Sequence, residues 1–284
     1  MKIYFHLSGR LGNQLFQWAY LHELVAQGFK IEIFVDKFHN DVNQIDLEKI
    51  LKACKHLPPI KIRNNLGNVL RIAEKLRSLG KLFEKLSKVL PIYVEFLPLR
   101  KRNSFFPVIV EGYFIDKQWV MKHEDTLLSE LEDSLATIPD DEFLENIKGV
   151  NLQTTAHVRR GDFKLYLDTF GLLSKNYYLN CIEETKPLLV VTDSYNEAKS
   201  MFIERPNTTL VDPKIYDVWT ALKILARSDR LIMSNSTLAW WGGFMAHNLN
   251  NAQVIMPKPI YVKPSEFDEK LALGGFTLAQ SIFE

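Results

Sequence analysis

Short apolar segments that run into polar residues and then into helical patterns constrain the fold of this chain more than any other feature. Lys2–Leu7 is the first such segment, and it precedes a glycine-containing loop and a helix that ends at Gly28. In the second half, apolar segments that include residues 155–158, 187–192 and 230–233 are separated by helical patterns. Strands that alternate with helices build parallel sheets covered by helices. The sequence therefore predicts an α/β protein.

Length and charge limit the class of protein. With 284 residues, 46% of them hydrophobic, the chain can bury one large core or two modest ones. We place a domain boundary near residues 148–153, which gives an N-terminal α/β domain over residues 1–150 and a C-terminal one over residues 151–284. The formal net charge of +1 argues against a nucleic-acid partner. No segment approaches the roughly 18 apolar residues of a membrane span, and two distant cysteines form no disulfide framework. We expect a cytoplasmic protein.

One strand of the second half ends in two arginines. Side chains alternate along a strand, so His157 and Arg159 point to the same side, while Arg160 points away or leads the turn. Gly161 allows the bend, and Asp162 can accept from backbone N–H groups or pair with an arginine. Arginine at the carboxyl end of a parallel strand suits an anionic ligand. The alternative interpretation is a strand end closed by a surface salt bridge.

Two more strand ends in the second half present polar groups to a ligand. The apolar strand 187–192 ends in Asp193, which can accept from a base or ribose, or can cap the next helix. The strand 230–233 runs into four small polar residues before a helix begins, namely Ser234, Asn235, Ser236 and Thr237. Their hydroxyl and N–H groups lie at the positive end of the helix dipole, where anions bind. Together with the arginines, these groups indicate a nucleotide-diphosphate site without a Walker lysine.

The first half has a weaker site signal in the loop after its first strand. Gly9 and Gly12 lie three apart there, with hydrogen-bond donors from Arg10, Asn13 and Gln14. The loop resembles a phosphate loop but matches neither the dinucleotide-binding nor the Walker pattern. An ordinary strand–helix turn is an equally good interpretation.

Residues 68–90 form a basic amphipathic pattern, in which apolar residues step by three and four among lysines and arginines. Such a helix can make a peripheral contact with an anionic membrane surface. The favoured alternative is a helix packed on its own domain with a solvated basic face.

Four stretches of the chain line up, in order and spacing, with one known pattern. They are Gly9-Arg10-Leu11-Gly12-Asn13-Gln14-Leu15-Phe16-Gln17, Glu111-Gly112-Tyr113-Phe114, His157-Val158-Arg159-Arg160-Gly161-Asp162-Phe163, and Ser234-Asn235-Ser236-Thr237 with Trp240-Trp241-Gly242. In these motifs the chain resembles, over its whole length, the α-1,2-fucosyltransferases of glycosyltransferase family eleven. The resemblance implies a GT-B-like architecture, in which two Rossmann-like domains face each other across a cleft.

The same resemblance implies the reaction. L-Fucose would pass from GDP-β-L-fucose to the 2-hydroxyl of a terminal galactoside, with inversion to an α-linkage. No cofactor and no metal ion is implied, and the sequence has no Asp-x-Asp triplet, the usual metal–diphosphate clamp of other transferases. The acceptor would be a galactose-terminated, lipid-linked unit of a surface polysaccharide such as an O-antigen. The enzyme would reach it at the inner membrane face through residues 68–90.

Residue roles are carried over from the same motifs. Arg159 would neutralise the leaving diphosphate, and His157 and Asp162 are further catalytic candidates. The resemblance implies that residues from both halves bind the donor, with Asp193 as the partner of guanine. These donor-binding residues are Arg10, Gly12, Asn13, Gln14, Arg160, Asp193, Ser234, Asn235, Ser236 and Thr237. The candidates on the acceptor side are Glu111, Tyr113 and Asp168.

Two questions stay open at the level of sequence. The base that takes the acceptor proton is Asp162, Glu111, Asp168 or His157, unless the departing phosphate takes the proton itself. Glu111, near the end of a strand that the sequence predicts over residues 108–114, can equally be a pairing partner. The alternatives in function are a fucosyltransferase of another linkage, a transferase of another GDP-sugar, and a non-catalytic GDP-sugar-binding module.

Overall fold

The computed structural model describes residues 2–36, 46–54, 57–77, 93–95, 107–148, 154–263 and 265–284. The chain divides into two compact units, Met1–Ser134 and Leu135–Glu284. This division falls before residue 150, where the sequence places the boundary, because the segment after Leu135 pairs with helix residues of the second unit. Lys223 donates to the carbonyl oxygen of Ile138, and Arg227 makes two hydrogen bonds to the carboxylate of Asp140.

The first unit is built on one parallel sheet. Its strands are β1 (Lys2–His6), β2 (Lys30–Val35), β3 (Ile60–Ile62), β4 (Tyr93–Glu95) and β5 (Val108–Val110), in the spatial order β3-β2-β1-β5-β4. Its helices are α1 (Leu11–Ala26), α2 (Glu48–Ala53), α3 (Asn64–Arg77), α4 (Lys117–Lys122) and α5 (Glu124–Ala136). Because β1 pairs in parallel with both β2 and β5, the residues that follow these three strands meet at one edge of the sheet.

The second unit contains a larger parallel sheet. Its elements are α6 (Glu142–Lys148), β6 (Thr154–Val158), a 3₁₀ helix (Asp162–Tyr166), α7 (Lys175–Cys181), β7 (Leu188–Thr192), α8 (Tyr195–Met201), β8 (Thr208–Val211), α9 (Val218–Ala226), β9 (Arg230–Ile232), α10 (Thr237–Asn250), β10 (Gln253–Lys258), α11 (Phe267–Leu271) and β11 (Thr277–Gln280). The spatial order is β11-β10-β9-β6-β7-β8, with all pairs parallel. β6 therefore lies between β7 and β9, and the ends of these three strands form the central part of the carboxyl edge.

Helix α10 is fixed by its packing. Trp240 and Trp241 are buried in the core of the second unit. Gly242 allows a close approach to α9, because a Cβ there would lie 2.5 Å from the Cβ of Leu225. Ser236 caps the helix with its side chain. The amino end of α10 is consequently held at the carboxyl edge of the sheet.

The structure departs from the sequence predictions in three places. Strand β5 ends at Val110, so Glu111 lies just beyond it, whereas the predicted strand continues to Phe114. The sequence predicts an acidic helical stretch over residues 124–144, whereas the structure divides it into α5 and α6 around Pro139, which lacks a backbone N–H and cannot continue a helix. Strands β10 and β11 are not predicted from the sequence, and Pro257 interrupts the apolar pattern of β10.

Part of the basic helix predicted over residues 68–90 can be placed. Helix α3 is described to Arg77, and most of the lysines of the pattern lie outside the described residues. Leu66, Leu70 and Ala73 of α3 join a buried cluster with Phe34. This part of the segment is therefore a helix packed on its own unit. Within the described ranges, no helix combines the length and the apolar character that crossing a membrane requires.

Candidate functional site

A turn after β6 brings an arginine against a carboxylate. Arg159 follows β6, and Asp193 follows the neighbouring strand β7. Nη1 of Arg159 lies 2.8 Å from Oδ2 of Asp193. Oδ1 of Asp193 accepts from the backbone N–H groups of Arg160 and Gly161, at 2.9 and 3.2 Å. The Asp193 carboxylate thus holds both the turn and the guanidinium group in place.

Gly161 is required by this close approach. A Cβ at Gly161 would lie 2.4 Å from Oδ2 of Asp193, a distance at which the carboxylate would have to move. The sequence predicts the bend at Gly161, and the structure adds the carboxylate from another strand that packs against it.

Two further groups restrict Arg159. Its Nη2 donates to Oδ1 of Asp162 at 2.5 Å, and its Cζ lies 5.3 Å from the ring centroid of Phe163. Both partners belong to the 3₁₀ helix, which therefore covers one side of the guanidinium. The Arg159 side chain keeps 23% of its surface exposed, and Asp162 is more exposed at 54%. Asp168 lies farther along this loop and is exposed.

Arg160 turns away from Arg159 and makes its hydrogen bonds to other residues of the second unit. Its Nε donates to Glu197 at 3.1 Å, and its two Nη atoms donate to the carboxylate of Glu284 at 2.7 and 2.6 Å. Such a bidentate pair fixes the geometry strongly. The structure thus separates the two adjacent arginines, and the predicted role of Arg160 in donor binding stays a prediction.

His157 lies beneath this site, on β6. It is 3% exposed, and its Nδ1 lies 2.6 Å from Oγ of Ser234, which follows the neighbouring strand β9. Burial lowers the pKa of His157 to about 4; the Asp193 carboxylate opposes this shift and the Arg159 cation adds to it. The imidazole is therefore neutral at pH 7, and it links the end of β6 to the loop that precedes α10. A catalytic role for His157 stays a prediction.

The loop that starts α10 is well held. The buried Asn235 donates to the carbonyl oxygen of Phe170 at 2.8 Å, and Oγ of Ser236 accepts from the N–H of Leu238 at 3.3 Å. Ser236 and Thr237 are partly exposed. Since β6 lies beside β9, this helix N-terminus and the Arg159 turn occupy adjacent strand ends. The predicted anion-binding groups are thus brought to one edge of the second sheet.

In the first unit, the glycine loop is a strand–helix turn held by glutamine. The amide nitrogen of Gln14 donates to the carbonyl oxygen of Gly9 at 2.7 Å, and its oxygen accepts from the N–H of Leu47 at 2.8 Å. Gly9 has φ +76°, and a Cβ there would approach Asn13 to 3.0 Å. Gln14 is therefore buried in structural contacts, and Asn13 is partly exposed.

The other two predicted residues of this loop differ in exposure. Gly12 is buried in the first turn of α1. The side chain of Arg10 is 59% exposed and lies 3.9 Å from Asp46. Their predicted roles in donor binding are not decided by these contacts.

A buried histidine at the edge of the first sheet is not predicted from the sequence. His6 ends β1; its Nε2 lies 3.0 Å from Oδ2 of Asp36, and its Nδ1 bonds Oε2 of Glu111. Burial acts to lower the pKa of His6, but the hydrogen bonds and charges of the two carboxylates outweigh burial and raise it to about 9. His6 is therefore protonated at neutral pH. In the sequence, this cluster is indicated only by the polar residues at the ends of β1, β2 and β5.

The backbone after Glu111 is unusual. Gln17 of α1 donates to the carbonyl oxygen of Gly112 at 2.8 Å and bonds Ser8 as well. Phe114 has φ +50°, a conformation that a bulky side chain seldom adopts and that is common at functional sites. Tyr113, a predicted acceptor-side residue, lies between Gly112 and Phe114 in the sequence and is 45% exposed.

Another polar cluster joins helices of the first unit. The possible ligand atoms of His22, Cys54 and Glu130 all lie within 4.8 Å of one another. Cys54 donates its thiol to Glu130 at 2.8 Å, and His22 contacts the same carboxylate at 3.1 Å. Burial, with the Glu130 carboxylate adding to it, raises the pKa of the Cys54 thiol. The thiol is therefore protonated, and the cluster is a hydrogen-bonded contact between helices.

Comparisons with known proteins bear on the fold. No family model matches the chain. The O-antigen biosynthesis glycosyltransferase WbnK of Escherichia coli is 24% identical to this chain, in an alignment that covers 90% of this chain and 94% of WbnK. The E. coli heptosyltransferase WaaC with ADP superposes with a TM-score of 0.51 at 9% identity, over 99% of this chain and 93% of WaaC. The fucosyltransferase NodZ from Bradyrhizobium superposes with a TM-score of 0.45 at 13% identity, over 85% of this chain and 92% of NodZ.

The likeness to WaaC extends over nearly the whole of both chains. Together with the two parallel sheets, it confirms the predicted α/β, GT-B-like fold class. The chain has the fold of a GT-B glycosyltransferase.

Proposed function

We propose that this protein is a glycosyltransferase that transfers L-fucose from GDP-β-L-fucose to the 2-hydroxyl of a terminal galactoside, with inversion. The four sequence motifs support the donor and the linkage. The fold and the similarity to WbnK, which is named as an O-antigen biosynthesis glycosyltransferase, support the reaction class. The product would belong to a surface polysaccharide, and the acceptor would be its galactose-terminated, lipid-linked precursor.

One observation carries the proposal: a restrained arginine lies beside a helix N-terminus at the carboxyl edge of the second sheet. Arg159 is held by Asp193 and Asp162 while 23% of its side chain stays exposed. The start of α10 follows the adjacent strand β9. A guanidinium group and the N–H groups of a helix N-terminus together suit a diphosphate.

The same geometry suits the leaving group of the reaction. When the bond between fucose C1 and the β-phosphate breaks, the GDP diphosphate gains negative charge. Arg159 is already fixed by its neighbours, so it can stabilise this charge without reorganising. Ser236 and Thr237 would contact the phosphates from the helix side. Asp193 would act mainly by orienting Arg159, since both of its oxygens are engaged by the turn.

Other parts of the proposal rest on the motifs alone. Transfer would need no metal ion and no cofactor beyond the donor. Arg10, Gly12, Asn13 and Gln14 would contribute to the donor site, as the resemblance implies. Peripheral contact with the inner membrane face through residues 68–90 would bring the enzyme to its acceptor, and most of this segment lies outside the described residues.

The test is incubation with GDP-fucose and lactose in EDTA, followed by mass spectrometry and linkage analysis. We expect a trisaccharide that carries fucose on the 2-position of galactose. A product of another linkage would support GDP-fucose as the donor and contradict transfer to the 2-hydroxyl. Product that forms only after Mg²⁺ is restored would contradict the proposal that no metal ion is needed. Release of GDP without a trisaccharide would show that lactose is the wrong acceptor. Binding of GDP-fucose without turnover on a panel of galactosides would favour a sugar-nucleotide-binding module.

A further inference from the structure

Three neighbouring strands of the first unit end in ionisable residues that contact one another. His6 is the last residue of β1, Asp36 follows β2, and Glu111 follows β5. The imidazole lies between the two carboxylates, 3.0 Å from Asp36 through Nε2 and hydrogen-bonded to Glu111 through Nδ1. The carboxyl ends of parallel strands are where ligands bind in open α/β sheets. The cluster therefore has the position of a functional site.

The three side chains differ in their access to solvent. Asp36 and His6 are fully buried, whereas the Glu111 side chain is 16% exposed. Asp36 is also confined by α3, because a Cβ at Gly67 would lie 2.4 Å from its Cγ. A chain of paired ionisable groups thus runs from a fixed interior carboxylate, through the imidazole, to a carboxylate that a ligand can reach.

The charges of the cluster are those of a cation between two anions. The charged groups that face the imidazole are Asp36 and Glu111, and the ring of Phe34 packs beside it with centroids 5.0 Å apart. Helix α1 presents the uncharged Gln17 to Ser8, and α3 presents Gly67 to Asp36. Burying such charges adds little stability compared with apolar packing, so their presence at a ligand-binding edge points to function.

We propose that Glu111 is the base that takes the proton of the acceptor hydroxyl, and that His6 and Asp36 are positioning residues which hold the Glu111 carboxylate in place. This inference rests on the proposed function and adds the group that activates the acceptor.

The acceptor oxygen forms a bond to C1 of fucose while the bond from C1 to the β-phosphate oxygen breaks, and that electron pair leaves with GDP. The hydroxyl proton passes to Glu111. Oε2 of Glu111 is engaged by His6, so Oε1, which lies 3.5 Å from Oγ of Ser8, is the oxygen that receives the proton. His6 keeps its own protons throughout the step.

The structure favours Glu111 over the other candidate bases. Asp162 is 54% exposed and is paired with Arg159, the residue to which the proposed function assigns the leaving diphosphate. His157 is 3% exposed and bonded to Ser234. Asp168 is exposed in a loop, where a carboxylate is held less firmly. Glu111 alone among these candidates combines partial exposure with a buried hydrogen-bonded support.

The first experiment compares Glu111→Gln with the wild-type enzyme in the lactose assay. We expect kcat to fall by about 10²–10⁴-fold, while the affinity for GDP-fucose, measured by calorimetry, stays at the wild-type value. Glu130→Gln is the matched control, because Glu130 also contacts a histidine, His22, at 3.1 Å but belongs to a cluster that joins helices. The control should retain the wild-type kcat.

The positioning residues need a readout that a purely structural role would leave unchanged. In His6→Gln we expect a lower kcat at a similar KM for lactose. We also expect the wild-type kcat to fall at alkaline pH as His6 loses its proton near pH 9, and this alkaline limb to be missing in His6→Gln. Asp36→Asn should move the limb to lower pH, because a carboxylate that raises the pKa of His6 is lost. Lower thermal stability in both variants with an unmoved limb would assign His6 and Asp36 to structure only and overturn their positioning role.

Near-normal kcat in Glu111→Gln would overturn the assignment of the base and leave the proposed function intact. If this variant does not fold, Glu111→Asp decides the question, since it keeps the charge and shortens the side chain. A large loss of kcat in Glu111→Asp, with donor affinity retained, would support the proposal, and an unchanged kcat would contradict it. Absence of transfer by the wild-type enzyme to any galactoside would instead overturn the proposed function itself.

Discussion

The two units each bury a histidine at the carboxyl edge of a parallel sheet, and the two histidines carry different charges. His6 is fully buried and His157 is 3% exposed, so burial acts to lower the pKa of both. The pKa of His6 is nevertheless raised to about 9, because Asp36 and Glu111 flank it, whereas that of His157 falls to about 4 beside Ser234. The partners that neighbouring strands bring, and not the depth of burial, thus decide the charge of these two histidines.

The different charges of the two histidines go with different chemistry at the carboxyl edges of the two sheets. At the first edge, carboxylates from two strands surround a cation, which suits the handling of a proton. At the second edge, a neutral imidazole supports a serine loop while the exposed cation is Arg159, which suits the binding of an anion.

The largest effect is expected for Arg159→Ala. Loss of a fixed cation at the leaving group should reduce kcat by about 10²–10³-fold without unfolding the protein, as judged by circular dichroism. Arg230→Ala is the matched control, since Arg230 starts β9 at the opposite edge of the same sheet and contacts Cys181 and Glu183. Normal turnover in Arg159→Ala would show that the second edge does not bind the diphosphate as we infer.

A smaller effect is expected for Gly161→Ala. The added methyl group would lie 2.4 Å from Oδ2 of Asp193, so the carboxylate must move and release Arg159. We expect the free energy of unfolding to fall by about 1–3 kcal/mol and GDP-fucose to bind more weakly in calorimetry. Gly274→Ala serves as the control, because nothing lies within 4 Å of a Cβ at Gly274. Unchanged donor affinity in Gly161→Ala would show that donor binding does not depend on the contact between Asp193 and Arg159.

Acid should weaken the second unit through His157. Its pKa is about 4 in the folded chain and about 6.5 when unfolded, so the unfolded state binds the proton first as the pH falls. The stability linked to His157 is therefore complete above pH 6.5 and is lost as the pH falls toward 4. Urea denaturation across this range should show that slope in the wild type and a flatter one in His157→Gln. Parallel curves for the two proteins would mean that His157 is not neutral in the folded state.

Alkali should weaken the first unit through His6, so the stability linked to this histidine depends on pH in the opposite direction to that linked to His157. The folded pKa of about 9 lies above the unfolded value, so the stability linked to His6 is complete below about pH 6.5 and is lost as the pH rises through 9. We expect the smallest effect here, because Glu111 is partly exposed and water screens its charge. The same urea measurements on His6→Gln between pH 6 and 10 should lack this loss, and a loss equal to that of the wild type would rule out His6 as its source.

Features set by local sequence could be predicted. Helix α9 runs from Val218 to Ala226 with Asp217 as its cap, as the pattern indicates, because a cap and the apolar spacing lie within one short segment. Polar residues that follow apolar strands also located the second edge, since the carboxyl ends of parallel strands meet.

Features that depend on distant partners could not be predicted. Arg160 looks like its neighbour Arg159 in sequence, yet its guanidinium is directed to Glu284, which lies 124 positions away. His6 and Glu111 are 105 positions apart, and no local pattern relates them. Strands β10 and β11 lie near irregular segments with a proline, where apolar periodicity is short. In each case a contact between residues far apart in the sequence, and not a local propensity, determines the structure.

The pairing of β1 with β5 also has a consequence for biosynthesis. Ile3 of β1 pairs with Val108 of β5, so one side of this central strand lacks its partner until more than a hundred further residues have been translated. At a synthesis rate of about 5–20 residues per second, that interval lasts roughly 5–20 seconds. During this time the apolar side chains of Ile3 and Phe5 are available to other nascent chains. The geometry that assembles the His6 cluster thus leaves one side of a central strand unpaired during most of the synthesis of the first unit.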